Sequence, residues 1–256
     1  MSVDNTLRKR NLRSQSETKG RRILIDSECE RPANGGHSHM RKWLLVSICS
    51  ILALAFSSAS SKAQSVYAKD GNVFIKNRSG QTEQLTTLGR DSQPSLSPDR
   101  RRITFVRSTP GKTVQTSLGD TGATELWLVD SDGKRPELLV SGKEDGDPKK
   151  SLADFSSPQF SPDGRKIYFM SVGWVTSGAV HVVDIQSKIE SFVSPGNTLD
   201  VIQKGKYRGY LIVQEHKYFS RGKVGSYDHY WLLTPRGREI RHIGGERDYR
   251  NFKKHV

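Results

Sequence analysis

The chain has 256 residues, with 41 Lys and Arg against 27 Asp and Glu for a formal net charge of +14, and it holds only two cysteines. Both, Cys29 and Cys49, precede residue 64, so everything after that point is excluded from disulfide and thiol chemistry and must rest on its packed core alone. The charge is uneven: residues 64–202 carry 17 of each sign, whereas residues 203–256 carry 13 basic against 5 acidic.

In chain order, residues 1–39 are polar and Arg-rich, with no hydrophobic period. Met40 opens a different segment: Arg41 and Lys42, an apolar run from Trp43 to Phe56, and small residues ending in Ser61-Lys62-Ala63. That order matches an export signal cut after Ala63, and the run is shorter than the ~20 residues a membrane-spanning helix needs. The expectation is an over-extended gene start or disordered extension over 1–39, a signal peptide over 40–63, and a periplasmic or secreted domain over 64–256. The competing reading is a cytoplasmic tail on an uncleaved signal anchor, the one expected route to a membrane.

After residue 64, a hydrophobic strand ending in a tight turn occurs four times, beginning at Val73, Leu126, Val180 and Tyr230. A recurrence every 50 to 54 residues is the scale of one four-stranded unit with its loops. A second motif precedes the middle copies: Ser97-Pro98-Asp99-Arg100-Arg101-Arg102-Ile103-Thr104-Phe105 and Ser161-Pro162-Asp163-Gly164-Arg165-Lys166-Ile167-Tyr168-Phe169. Pro presets φ in the turn, Asp bonds back to the backbone, and Gly164 closes it in the left-handed region. Arg100 stands where that glycine would be, so the first turn is expected to stay right-handed. Ile and Phe two apart then share one face of the next strand. A degenerate third copy runs from Gly205 to Val213, and strands over Val66–Ala68, Asn72–Lys76 and Glu83–Thr86 leave the first unit one strand short.

These two motifs resemble the WD40-like β-propeller repeat of TolB and its relatives, over roughly residues 65 to 245. The resemblance implies an all-β propeller of four-stranded antiparallel blades, of which the repeats in this chain supply about four, and a non-catalytic scaffold that binds a protein or acidic glycan through its rim loops. The family's propellers usually have about six blades. An alternative is a small propeller glycosidase or lyase working through paired carboxylates in the central channel.

Nothing in the chain reads as a cofactor or metal site. Asp130-Ser131-Asp132-Gly133 is a hairpin turn with no closing Glu for a calcium loop, and His181, His216, His229 and His242 lack metal spacing. Ser141 to Asp154 reads as a mobile, solvated acidic loop. The positive excess places Lys204, Lys206, Arg208, Arg221, Lys223, Arg236, Arg238 and Arg241 mostly at predicted turns, where they would draw an acidic polysaccharide or envelope protein; nucleic acid does not suit an exported chain. Trp174, in a turn-rich connection, is the aromatic expected to touch a partner. Asp248 to Phe252 has aromatic residues three apart but little else to recommend a helix, so the tail is expected either to pair with the first blade or to leave an open arc.

Overall fold

The computed structural model describes residues 64–220 and 224–256, so the export signal, residues 1–39, Arg221 and Lys223 lie outside the described residues. Regularly spaced turn residues cut the rest into four antiparallel meanders. The first has three strands, β1 (Ser65–Lys69), β2 (Asn72–Lys76) and β3 (Thr82–Gln84). The second holds β4 (Asp91–Leu96), β5 (Arg102–Thr116), β6 (Gly119–Asp130) and β7 (Glu137–Ser141). The third holds β8 (Ser156–Phe160), β9 (Lys166–Trp174), β10 (Ser177–Asp184) and β11 (Glu190–Pro195). The fourth holds β12 (Thr198–Val201), β13 (Leu211–Tyr218), β14 (Ser226–Leu233) and β15 (Glu239–Gly244), and a helix, α1 (Glu246–Lys253), follows it.

Strand alternation sends successive side chains to opposite faces, and each middle blade is apolar on both. Val73 and Ile75 of β2 pack on Ile103 and Phe105 of β5. Leu126 and Leu128 of β6 meet Ile167 and Phe169 of β9 in the same way, and Val180 of β10 meets Leu211 and Val213 of β13. Stacking blade on blade in this order is a β-propeller. The repeated match of β2 with β6 and β10 shows that the first blade lacks, among the described residues, its innermost strand. The inner strands β4, β8 and β12 bond across blades: the Ser157 amide donates to Gln93 Oε1 at 2.7 Å, and Gln159 Nε2 donates to the Leu199 carbonyl at 2.7 Å.

The Ser-Pro-Asp turns close identically. Ser97 Oγ donates to Asp99 Oδ1 at 2.6 Å and Asp99 accepts the Arg101 amide; Ser161 Oγ and Asp163 repeat both bonds, again 2.6 Å and 3.1 Å. The serine hydroxyl, against the cost of desolvation, holds each Asp carboxyl below the ordinary carboxylate range. The fourth turn residue is left-handed in both, Arg100 at φ 63° and Gly164 at φ 69°, which corrects the right-handed expectation for Arg100. The Ser-Asp bonds and the ladder on either side fix the turn shape, and the arginine is carried into it.

A related constraint falls on Gly237, in the β14–β15 turn. Its φ is 82°, and a Cβ there would sit 2.0 Å from the Val193 carbonyl oxygen of the neighbouring blade. Gly237→Ala is expected to cost more than about 2 kcal/mol, from left-handed strain and forced separation of two blades. Urea unfolding checks this.

The tail forms neither a strand nor a partner for the first blade. One face of the fourth blade packs on the third; the other, Ile202, Ile212, Tyr230 and Leu232, is covered by Tyr249, Phe252 and Val256 together with Tyr207 and Tyr210. Tyr230 stacks on Tyr249 with ring centroids 4.1 Å apart, and its hydroxyl donates to Glu246 at 2.6 Å. Helix α1 therefore covers the free face of the fourth blade as a terminal repeat is capped. The acidic loop also departs from expectation: Lys143 and Leu152 bridge its ends, and Ser151, Leu152 and Ala153 are buried.

Candidate functional site

In a meander, alternate turns share one rim. Those after the first and third strands of each blade lie on one side, and the turns between the second and third strands lie on the other. The first rim collects the Ser97–Arg102, Ser161–Lys166 and Gln203–Tyr210 turns, with Arg236 and Arg238 in the β14–β15 turn. Two guanidinium groups tie the three inner turns together: Arg102 Nη2 donates to the Gly164 carbonyl at 2.8 Å, and Arg208 Nη2 donates to the Pro162 carbonyl at 2.9 Å.

At the centre of this rim, the ends of β4, β8 and β12 border a cavity of about 520 Å³. Arg100, Lys204 and Arg208 line it, beside Ser95, Gln159 and Gln203, and none of the described residues lining it carries a carboxylate. The amides are already oriented: Gln159 Oε1 accepts the Val201 amide at 2.9 Å, and Gln203 Nε2 donates to the Phe160 carbonyl at 2.8 Å. A rigid polar floor with three cations around it is chemistry suited to holding an anion.

Of the basic residues the sequence singles out, Lys204 and Arg208 line this cavity; Arg100 lines it too, and its only signal in the sequence is its place in the repeat. Lys206 stands on the same rim with its ammonium 5.4 Å from the Tyr207 ring centroid, and Arg236 and Arg238 are farther out along it. Arg241 is not brought into the group. It lies on β15 with its guanidinium 5.4 Å from the Phe252 ring and lines a separate cleft against α1.

Trp174 sits at the end of β9, on the other rim. It packs edge-on against Phe192, centroids 6.0 Å apart, and borders a cavity of about 350 Å³ with Leu118 and Val175, which are 58% and 75% exposed. The histidines are engaged locally: His181 is buried with Nδ1 2.5 Å from Glu190 Oε1, and His229 and His242 lie nitrogen to nitrogen at 2.8 Å. No cluster of three or more metal-ligating side chains occurs among the described residues, and no helix there is long and apolar enough to cross a membrane.

No family model matches this chain, and no curated protein does. Solved structures do. An Agrobacterium tumefaciens structure assigned as TolB matches with a TM-score of 0.50 at 14% identity, over 72% of this chain and 58% of that one. Dipeptidyl peptidase 4 of Porphyromonas gingivalis matches at 0.48 and 15% identity, over 71% and 31%. The β-propeller domain of the Trilobed protease from Pyrococcus furiosus, which has an open velcro topology, matches at 0.43 and 14%, over 68% and 48%. The chain thus spans less than two thirds of each of these proteins, and the likeness is one of fold: this is a β-propeller of three four-stranded blades and one three-stranded blade.

Proposed function

We propose that the propeller is an exported, non-catalytic binding scaffold that takes an acidic polysaccharide on its basic turn rim. The observation that carries this reading is the meeting of Arg100, Lys204 and Arg208 around one open cavity with no carboxylate among the described residues that line it. Lys206, Arg236 and Arg238 extend the positive surface outward from it, as a chain-like polyanion requires. Export rests on the Met40 to Ala63 sequence and makes a surface glycan a more natural partner than nucleic acid. A glycoside-cleaving propeller would instead bring two carboxylates about 5 to 9.5 Å apart to such a mouth.

Affinity for an acidic glycan is expected to fall steeply as ionic strength rises past ~0.15 M, where the Debye length drops below ~8 Å. Lys204, Arg208, Arg236 and Arg238 changed together to Glu should abolish binding. Titration of the unmodified and altered proteins against alginate at several salt concentrations measures both effects. Absent or salt-independent binding by the unmodified protein contradicts the proposal, and a preference for acidic polypeptide over alginate moves the partner to an envelope protein.

A further inference from the structure

Left-handed backbone disfavours any residue with a Cβ, by about 1–2 kcal/mol, and glycine relieves it. The repeat supplies an internal control. The turns at Ser97 and Ser161 share the same bonds, the same reach and nearly the same φ at the closing residue, 63° and 69°; one is closed by arginine and the other by glycine. Arginine is therefore not needed to build the turn.

Two other cations on this rim occupy left-handed positions, Arg135 at φ 54° and Lys188 at φ 58°. Each has a carboxylate to meet: Arg135 pairs with Asp130, and Lys188 Nζ lies 2.8 Å from Glu137. Arg100 is different. Its side chain makes no ion pair among the described residues, and the adjacent Asp99 carboxylate is already taken by the Ser97 hydroxyl and the Arg101 amide. Arg100 lines instead the cavity it shares with Lys204, Arg208 and the fixed amides of Gln159 and Gln203.

We propose that this cavity is an oxyanion site and that Arg100, carried into it on a strained left-handed backbone, is its principal recognition residue. The inference rests on the basic-rim reading above and deepens it. It assigns to one pocket the contact with an individual carboxylate or sulfate group, while the outer rim supplies general attraction. A planar guanidinium offers paired donors to such a group, which a lysine at the same point does not.

The test compares the unmodified protein with Arg100→Gly and Arg101→Gln, using a dextran sulfate oligosaccharide as the sulfate probe and an alginate oligosaccharide as the carboxylate probe. Arg101 lies in the same turn but does not line the cavity, so its variant removes one rim charge without touching the site. Arg100→Gly is expected to raise the unfolding midpoint by about 2–4 °C through release of strain, and to weaken binding at least about tenfold through loss of a charge-assisted contact. Arg101→Gln should stay within about threefold. The preferred probe identifies which oxyanion the pocket takes.

If Arg100→Gly binds no worse than Arg101→Gln, the pocket assignment is overturned while the rim reading stands. If the unmodified protein binds neither probe, both fall. A lowered unfolding midpoint in Arg100→Gly overturns the claim that the arginine is held there at the expense of stability.

Discussion

Phe169→Ala is expected to lower stability by about 3–5 kcal/mol, a large part of what a domain of this size has in total. Phe169 is completely buried between the second and third blades. Its ring meets Phe155 edge-on at 5.0 Å and His181 in a stack at 5.6 Å, so no flexible neighbour stands ready to fill the space. Phe105 occupies the equivalent place between the first and second blades, also fully buried, and its change to Ala should fall in the same range. Because blades touch only their neighbours, the loss at either site weakens one inter-blade seam and should broaden the transition as well as shift it. Chemical denaturation of both variants measures the cost. A loss under about 1 kcal/mol at both positions contradicts the blade register.

Removal of residues 246–256 is the second large effect. Alone, an eight-residue helix is marginal in water, and α1 has no side-chain N-cap, although Glu246 and Asp248 in its first turn and Arg250 and Lys253 in its last favour its dipole. It stands because Tyr249 and Phe252, one turn apart, lie on the fourth blade, and because Lys253 Nζ reaches Asp200 at 2.7 Å. Without it, Ile212, Tyr230 and Leu232 would face water as one apolar sheet face, which invites association. The truncated protein is expected to aggregate or to lose the cooperative transition, as read by light scattering during a thermal melt. The double change of Tyr249 and Phe252 to Ala should cost less and in the same direction. A monomeric truncation with an unchanged melt contradicts the capping role.

Much of the blade pattern was legible because turns announce themselves locally. Ser-Pro-Asp fixes where β5 and β9 begin, and Ile103, Phe105, Ile167 and Phe169 then fall on buried faces by alternation. Even the degenerate Gly205–Val213 copy held its register, with Leu211 and Val213 in the positions of Ile167 and Phe169. Helix α1 was not legible as a helix: too few residues, no cap, and an apolar face of only Tyr249, Phe252 and Val256. Spaced by three and four, these residues are the one available signal, and their meaning depends on a blade face assembled from Ile202, Ile212, Tyr230 and Leu232 on three separate segments. The handedness at Arg100 was misread for a similar reason, since intrinsic preference lost to the Ser97–Asp99 bonds and the flanking strands. The cavity joins residues from three blades, so charge counting located its carboxy-terminal cations and overlooked Arg100, which lies in a segment with no net charge. Trp174 and Arg241 were grouped with the other candidates only by residue type and turn context, and the meander sends them elsewhere.

An acidic glycan bound on the rim formed by the inner turns, as proposed, would shield those turns from solvent. Hydrogen exchange with and without a saturating alginate oligosaccharide tests it most directly, because each turn reports separately. Slowed exchange is expected in the Ser97–Arg102, Ser161–Lys166 and Gln203–Tyr210 turns, with the opposite tips around Leu118 and Val175 unchanged. Protection centred on those opposite tips and Trp174, or uniform exchange at all turns, would contradict it.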